Sequence, residues 1–381
     1  MKLEHALNIA DLRKLARRRL PRVLFDVIES GVEDELGALR NVSAFRDYLF
    51  EPRYLVDVSV RKQRVELFGR IYDSPFGIAP MGFGSLFRRG CELDFARAAK
   101  TFNVPFIHSG VSVIPLEAVV EAAPDHVWCH FYPGKSPENT LDYLERAAGL
   151  GVQVLVLTVD APIYPKRERD IRSGFTSLKI RPLLLAEAAL HPQWVLEFLK
   201  NGGTPMLGTW QRYAPPGSNA KQVSNYFRSQ SPSIQTWEDV KKYRAMWQGK
   251  FVLKGLLSPS DAELASNIGI DGIIVSNHGA KAYDPLPAPV SALPSVKEGA
   301  GRDIPVMVDG GIRRGSDILA AFCLGASFSF LGRAALYGAV AGGLPGASKA
   351  LAIMKDEVDR GLGLIGCPEI SRLTSEHLIR A

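Results

Sequence analysis

Residues 273–281 read Ile-Ile-Val-Ser-Asn-His-Gly-Ala-Lys. An apolar run that stops on Ser276, Asn277 and His278 is how a buried strand delivers a titratable imidazole at its tip, where it can act as a base. About 30 residues later a second apolar run, 304–309, ends in Asp309-Gly310-Gly311-Ile312-Arg313. Glycines that let backbone N–H groups approach, followed by arginine, suit a phosphate. Gly332-Arg333 repeats that chemistry after a third run. A base on one strand end and an anion cradle on the next two point to an enzyme holding a phosphorylated cofactor beside its substrate.

The elements that must position these residues recur along the chain. Short apolar runs lie at 76–80, 104–109, 127–132, 154–160, 251–255, 272–276, 304–309 and 326–332. Amphipathic stretches such as 92–102, 140–150, 261–267 and 317–324 separate them. Continuous apolar strands alternating with helices argue for a parallel sheet covered on its outer face, and eight units argue for a closed (β/α)8 TIM barrel. The expectation is one barrel domain spanning 1–381. Residues 1–70 read as a largely helical extension, and 171–248 as a long insertion after strand four that acts as a lid. Within it, 179–200 mixes Leu183, Leu184, Leu185, Trp194, Val195 and Phe198 with basic ends. That segment reads as a helix packed on the barrel or as an interfacial helix making peripheral membrane contact.

Bulk properties narrow the class. Apolar residues make up 46% of the 381 residues and charged residues 23%, a globular composition. The net charge of +6 fits a phosphate-bearing ligand or an anionic surface, and no aromatic-rich basic stripe points to nucleic acid. The four cysteines show no Cys-x-x-Cys spacing, so neither a disulfide framework nor a zinc site is expected. The start lacks a secretory pattern, and no uncharged apolar stretch reaches membrane-spanning length. A cytoplasmic protein, peripheral at most on the inner membrane face, is the expectation.

In a barrel the strand tips converge on one mouth. In order they supply Pro80, Met81 and Gly82; Ser109; His130 with Tyr132; Thr158 with Asp160; Lys254; Ser276 with His278; Asp309, Gly311 and Arg313; and Gly332 with Arg333. Each alone has a bland explanation as a cap, a packed ring or a solvated charge. Together they bring an acid, a base, a phenol, an amine and arginines to one site.

These residues carry a family resemblance. The chain resembles the FMN-dependent α-hydroxy-acid oxidases and dehydrogenases, the group containing glycolate oxidase, L-lactate dehydrogenase and (S)-mandelate dehydrogenase. The pieces are Pro52-Arg53-Tyr54-Leu55, Ile78-Ala79-Pro80, Leu157-Thr158-Val159-Asp160, Arg167-Glu168-Arg169-Asp170, Leu253-Lys254-Gly255, Ser276-Asn277-His278-Gly279 and 309–315. The insertion's His191-Pro192-Gln193-Trp194 is similar to that of bacterial membrane-associated lactate dehydrogenases.

The resemblance implies that His278 accepts the substrate hydroxyl proton as hydride passes to the flavin, with Asp160 stabilising the imidazolium. It implies Lys254 at the flavin N1–C2 edge, Tyr132 on substrate and Arg167 near the pocket. It further implies Pro80, Met81, Gly82, Ser109, His130, Thr158 and Ser276 against the flavin and its ribityl chain. Asp309, Gly311, Arg313, Gly332 and Arg333 would then hold the phosphate end. Homotetramers, and a quinone, protein or O2 as electron acceptor, are implied as well. Gly82, where oxidases more often carry alanine, favours a quinone or protein.

Four positions depart from the family pattern. Asp26-Val27 stands where the family reads Asp-Tyr, Lys281 where an arginine clamps the substrate carboxylate, His130 where a glutamine meets the flavin, and Val111 where a large side chain lines the pocket. Lysine keeps charge but loses the planar fork. The expectation is a larger or atypical 2-hydroxy acid, or a differently charged substrate, rather than lactate or glycolate. Arg167 and Lys281 are the candidate substrate-binding cations, and a carboxylate held by both is one of two readings of Lys281. The alternative is oxidation of an amine or modified-peptide carbon on the same scaffold.

Overall fold

The computed structural model describes residues 1–175 and 187–381. Eight parallel strands close into a barrel in chain order: β1 (Phe76–Ile78), β2 (Phe106–His108), β3 (Val127–Phe131), β4 (Val154–Thr158), β5 (Lys250–Leu256), β6 (Gly272–Val275), β7 (Val306–Asp309) and β8 (Phe328–Leu331), which returns to pair with β1. The architecture is the (β/α)8 barrel that the alternating pattern implied.

Each strand is apolar on both faces because both are buried. Trp128, Val156, Val252, Ile274, Met307, Phe328 and Phe330 fill the barrel interior. Their chain neighbours, among them Cys129, Leu155, Leu157, Leu253, Val275 and Val308, pack against the surrounding helices. Side chains alternate faces along a strand. Two residues beyond Trp128 the inward position is therefore His130, and two further it is Tyr132. The same step leads from Val156 to Thr158 and Asp160, from Val252 to Lys254, from Ile274 to Ser276, and from Met307 to Asp309. The pleat alone thus gathers the candidate residues in a layer above an apolar plug.

The extension before the barrel is only partly helical. Helices α1 (Ile9–Arg19), α2 (Arg22–Glu29) and α3 (Leu36–Ser43) are followed by a 3-10 turn ending at Asp47. Beyond it the chain is extended: Tyr48–Phe50 pairs antiparallel with the C-terminal Leu378–Arg380, and Val65–Leu67 forms a hairpin with Arg70–Tyr72. That hairpin seals the floor of the barrel. Leu67 and Tyr72 join the interior cluster, Phe68 lies 5.6 Å from Trp128, and Trp128 Nε1 donates to Tyr72 Oη at 3.3 Å. Three-residue strands are too short to show a period, which is why this part reads as helix.

Glu29, at the end of α2, pairs with Arg13 of α1 at 2.5 Å and accepts from the Tyr337 hydroxyl. Burial raises its carboxyl pKa, but the hydrogen bonds from Arg13 and Tyr337 outweigh this and leave it below the ordinary glutamate value. A group depressed in the folded state contributes stability above its unfolded pKa and loses it as pH falls through the folded one. Glu29→Gln is therefore expected to flatten the fall of Tm as the pH drops below the range in which an unfolded glutamate titrates, measured by thermal unfolding.

After β4, the described insertion contains helices Glu168–Ser173, Pro192–Lys200, Gly208–Gln211 and Ala220–Gln230. The leucines 183–185 of the amphipathic segment lie outside the described residues. The last stretch assigned to the insertion, Trp237–Met246, belongs to the outer helical ring: Val240 and Trp247 pack in the outer core, and Tyr243 meets Phe131 at 5.6 Å. The insertion itself is anchored over β2. Thr209 Oγ1 and Trp210 Nε1 both donate to the Gly110 carbonyl, at 3.1 and 2.9 Å.

Candidate active site

His278 sits just past the end of β6 in a sharp turn in which His278, Gly279 and Ala280 have φ of 59°, 63° and 59°. Left-handed backbone is costly for the two non-glycine residues and is held only because the surroundings determine it. The His278 N–H donates to Ser276 Oγ at 3.1 Å, and Asn277 Oδ1 accepts from Ala280 N at 3.0 Å. Asn277 and Asn41 of α3 also exchange amide hydrogen bonds at 2.7 and 2.8 Å.

The imidazole is oriented by Asp160, with Nδ1 to Oδ1 at 2.7 Å. A carboxylate only accepts, so Nδ1 carries the proton and Nε2 presents its lone pair. Burial pushes the Asp160 pKa up, yet its interaction with His278 and the Lys254 ammonium hold it below the usual aspartate value. The second oxygen, Oδ2, is buried without a partner among the described residues. Tyr132 Oη lies 3.4 Å from His278 Nε2. Burial and the Asp160 charge raise the phenol's pKa, so it remains a donor.

Across the mouth, Lys254 is 4% exposed. Its ammonium donates to Ser276 Oγ at 2.7 Å and pairs with Asp309 Oδ2 at 3.1 Å. Asp309 Oδ1 is buried and unpartnered among the described residues. At β1, Pro80, Met81 and Gly82 reach the mouth partly exposed. A Cβ on Gly82 would lie 3.3 Å from the Val111 carbonyl. Ser109 Oγ accepts from Val111 N at 3.2 Å.

Several expected contacts look elsewhere. His130 has both ring nitrogens engaged, Nδ1 with Gly110 N at 3.1 Å and Nε2 with Thr158 Oγ1 at 2.7 Å. The Lys281 ammonium turns onto the carbonyls of Val27 (2.9 Å) and Ser30 (2.7 Å) at the end of α2. The Arg333 guanidinium does the same, reaching Ile28 O at 2.8 Å, Ser30 O at 3.0 Å and Gly279 O at 3.0 Å. A helix C-terminus leaves carbonyls unsatisfied and carries partial negative charge, so these two cations cap α2. Burial and the neighbouring Arg333 and Arg167 push the Lys281 pKa well below the usual lysine value. Arg167 differs: among the described residues the hydrogen bonding of its guanidinium is limited to Nε on the Lys281 carbonyl at 3.4 Å. Of these three cations it is the one whose guanidinium does not cap α2 among the described residues.

The glycine turn after β7 is tight. A Cβ on Gly311, at φ 83°, would fall 1.8 Å from the Asn41 carbonyl oxygen. The N–H groups of Arg313 and Arg314 are already taken by Asp317 Oδ2 at 2.7 and 2.9 Å, and Arg313 Nη1 rests on the Ile312 carbonyl at 2.9 Å. After β8, Gly332 faces open space, with nothing within 4 Å of a Cβ built there. It opens the helix Arg333–Gly342; the Ala335 N–H donates to the Gly332 carbonyl at 3.0 Å, while the N–H groups of Arg333 and Ala334 have no intrahelical acceptor. An anion at this point would meet a helix N-terminus beside Arg313.

Comparison with known proteins settles the family. The FMN-dependent dehydrogenase family model matches residues 16–380. The chain belongs to this family. Among its relatives, (S)-mandelate dehydrogenase of Pseudomonas putida is 34% identical over 377 residues, covering 98% of this chain and 94% of the relative. An L-lactate dehydrogenase of Caulobacter sp. (strain K31) is 36% identical, covering 98% of each. A crystal structure of the monotopic membrane protein (S)-mandelate dehydrogenase superposes with a TM-score of 0.95 at 34% identity, covering 99% of this chain and all of the other. A mandelate oxidase with (S)-2-phenylpropionate superposes with 0.82 at 28% identity, covering 98% of each chain.

This FMN-dependent dehydrogenase is thus an oxidoreductase of the 2-hydroxy-acid dehydrogenase and oxidase family, with FMN as its cofactor. The site fits that group. Among the described residues Asp309 Oδ1 is a buried acceptor lacking a donor, which a ribityl hydroxyl would supply, and the Gly332 cradle leaves room for a phosphate. Asn41 and the carbonyls of α2, drawn in from the extension, had no signal in the sequence.

Proposed function

We propose that this flavoenzyme oxidises an aromatic or otherwise bulky apolar 2-hydroxy acid to the 2-oxo acid. FMN supplies the hydride acceptor. His278 Nε2 takes the hydroxyl proton, Asp160 holds the resulting imidazolium, Tyr132 donates to a substrate oxygen and Arg167 meets the carboxylate. The observation that carries the size of the substrate is the apolar wall at the mouth. Val111, Trp210, Ala214, Val223 and Phe227 form one buried cluster, against which Phe83, Tyr132 and Tyr213 pack. The small Val111 and this aromatic lid suit a ring better than a methyl group. The named relatives include dehydrogenases of mandelate and of lactate, so size is the property to test. Anaerobic bleaching of the flavin by mandelate, phenyllactate, lactate and glycolate decides it. Aromatic acids should reduce the flavin with the highest rate over half-saturating concentration; faster reduction by lactate would overturn the proposal. No feature of the mouth singles out the amine alternative.

We also propose that the enzyme works peripherally at an anionic membrane and passes electrons to a quinone or a protein there. No described helix is long and apolar enough to cross a membrane. The helix Pro192–Lys200 buries none of its residues, and Leu190, Leu196 and Leu199 beside it or on it are 77%, 55% and 65% exposed. It is joined to the basic end of α1 by Arg19 and Glu197 at 2.5 Å. Exposed leucines beside arginines suit a lipid interface. Leu196→Glu with Leu199→Glu should abolish cosedimentation with anionic phospholipid vesicles and leave flavin reduction by substrate intact.

A further inference from the structure

We propose that His130 is a positioning residue: held between Gly110 and Thr158, it fixes the direction of a hydrogen-bond chain that presents the Tyr132 hydroxyl to the reacting centre as a donor. This rests on the reading of Tyr132 and His278 as the groups facing substrate.

The direction follows from donor counting. The Gly110 N–H can only donate, and it meets His130 Nδ1 at 3.1 Å, so Nδ1 must be the acceptor. The ring is 1% exposed, and burial together with the Lys254 charge keeps it neutral. Its proton therefore sits on Nε2, which donates to Thr158 Oγ1 at 2.7 Å. Having accepted from His130, the Thr158 hydroxyl keeps one hydrogen to give. Tyr132 lies on the neighbouring strand one step beyond the paired Phe131 and Leu157, as Thr158 does, and the chain passes that hydrogen to its phenol oxygen. That leaves the Tyr132 hydrogen pointing onward, where His278 Nε2 lies at 3.4 Å and where a substrate oxygen would stand. The edge of the His130 ring also meets the Tyr132 ring at 4.6 Å and 89°, which fixes the phenol in place. A backbone N–H thus dictates, through three side chains, which way the last hydrogen points. With both nitrogens committed, His130 has no atom left for the flavin, in contrast to the family's glutamine.

Two measurements on the FMN-loaded enzyme test this. In 15N-histidine spectra, with the His130 signal assigned by its absence from His130→Gln, the Nε2–H tautomer is expected; an Nδ1–H tautomer or an imidazolium overturns the proposal whether or not a substrate is known. For kinetics, His130→Leu should lower the rate of flavin reduction about 10-fold or more, the scale of one lost donor in a transition state, with FMN affinity and the oxidised flavin spectrum unchanged. His130→Gln, which restores a donor toward Thr158, should recover most of that loss. In a Tyr132→Phe background, His130→Leu should cost no more than about twofold further, because the chain's last link is already gone. Additive losses, or a shifted flavin spectrum in His130→Leu, overturn it. Failure of every 2-hydroxy acid to bleach the wild type would sink the functional reading, and the tautomer would still decide the role of His130.

Discussion

Replacing His278 with asparagine is expected to slow flavin reduction by roughly 10²–10⁴-fold, the range a positioned general base contributes. The expectation rests on one lone pair. Asp160 occupies Nδ1 at 2.7 Å, so Nε2 is the side of the ring left for the substrate hydroxyl. Asparagine can keep the bond to Asp160 but offers no basic nitrogen at the Nε2 position. FMN should stay bound, because the groups fitted to its ribityl and phosphate ends lie on β7 and β8. Stopped-flow reduction with the preferred 2-hydroxy acid, alongside the oxidised flavin spectrum, makes the comparison. A rate within tenfold of wild type, with flavin bound, would show that the proton goes elsewhere.

The second large effect is expected at Lys254→Met. Lys254 and Asp309 form an ion pair whose side chains are 5% and 9% exposed. Removing one partner of such a pair leaves an uncompensated buried charge and costs about 3–5 kcal/mol. The apoprotein should therefore melt markedly earlier, by thermal unfolding. Adding Asp309→Asn should recover part of that stability, because a neutral amide needs no counter-charge. It should not recover flavin reduction, which loses the ammonium beside the mouth in both variants. Equal melting temperatures for Lys254→Met and wild type would mean the ion pair contributes nothing to the fold.

Most of the site was legible in the sequence because it is local. Trp128, His130 and Tyr132 share a barrel face by the pleat of one strand, and the same holds for Val156, Thr158 and Asp160. Reading the tips of eight apolar runs was enough to collect them. What escaped depends on partners far away in the chain. Lys281 and Arg333 looked like anion-binding cations, yet their charges face carbonyls of α2, separated by 254 and 305 residues. His130 looked like a flavin contact until its two neighbours were known. The hairpin at 65–72 escaped for a different reason, since three-residue strands carry no readable period. In each case a residue's type was informative and its direction was not.

The capping of α2 also bears on how the enzyme is made. Helix α2 leaves the ribosome early, while the cations that satisfy its last carbonyls are synthesised some 250 to 300 residues later. Contacts of such sequence separation form late and slow folding. Until Lys281 and Arg333 arrive, the rim of the mouth is missing its support and the nascent chain has no site to fill. A truncated product ending before β8 should therefore be an inert chain rather than a weak enzyme, and cofactor loading becomes a report of completed synthesis.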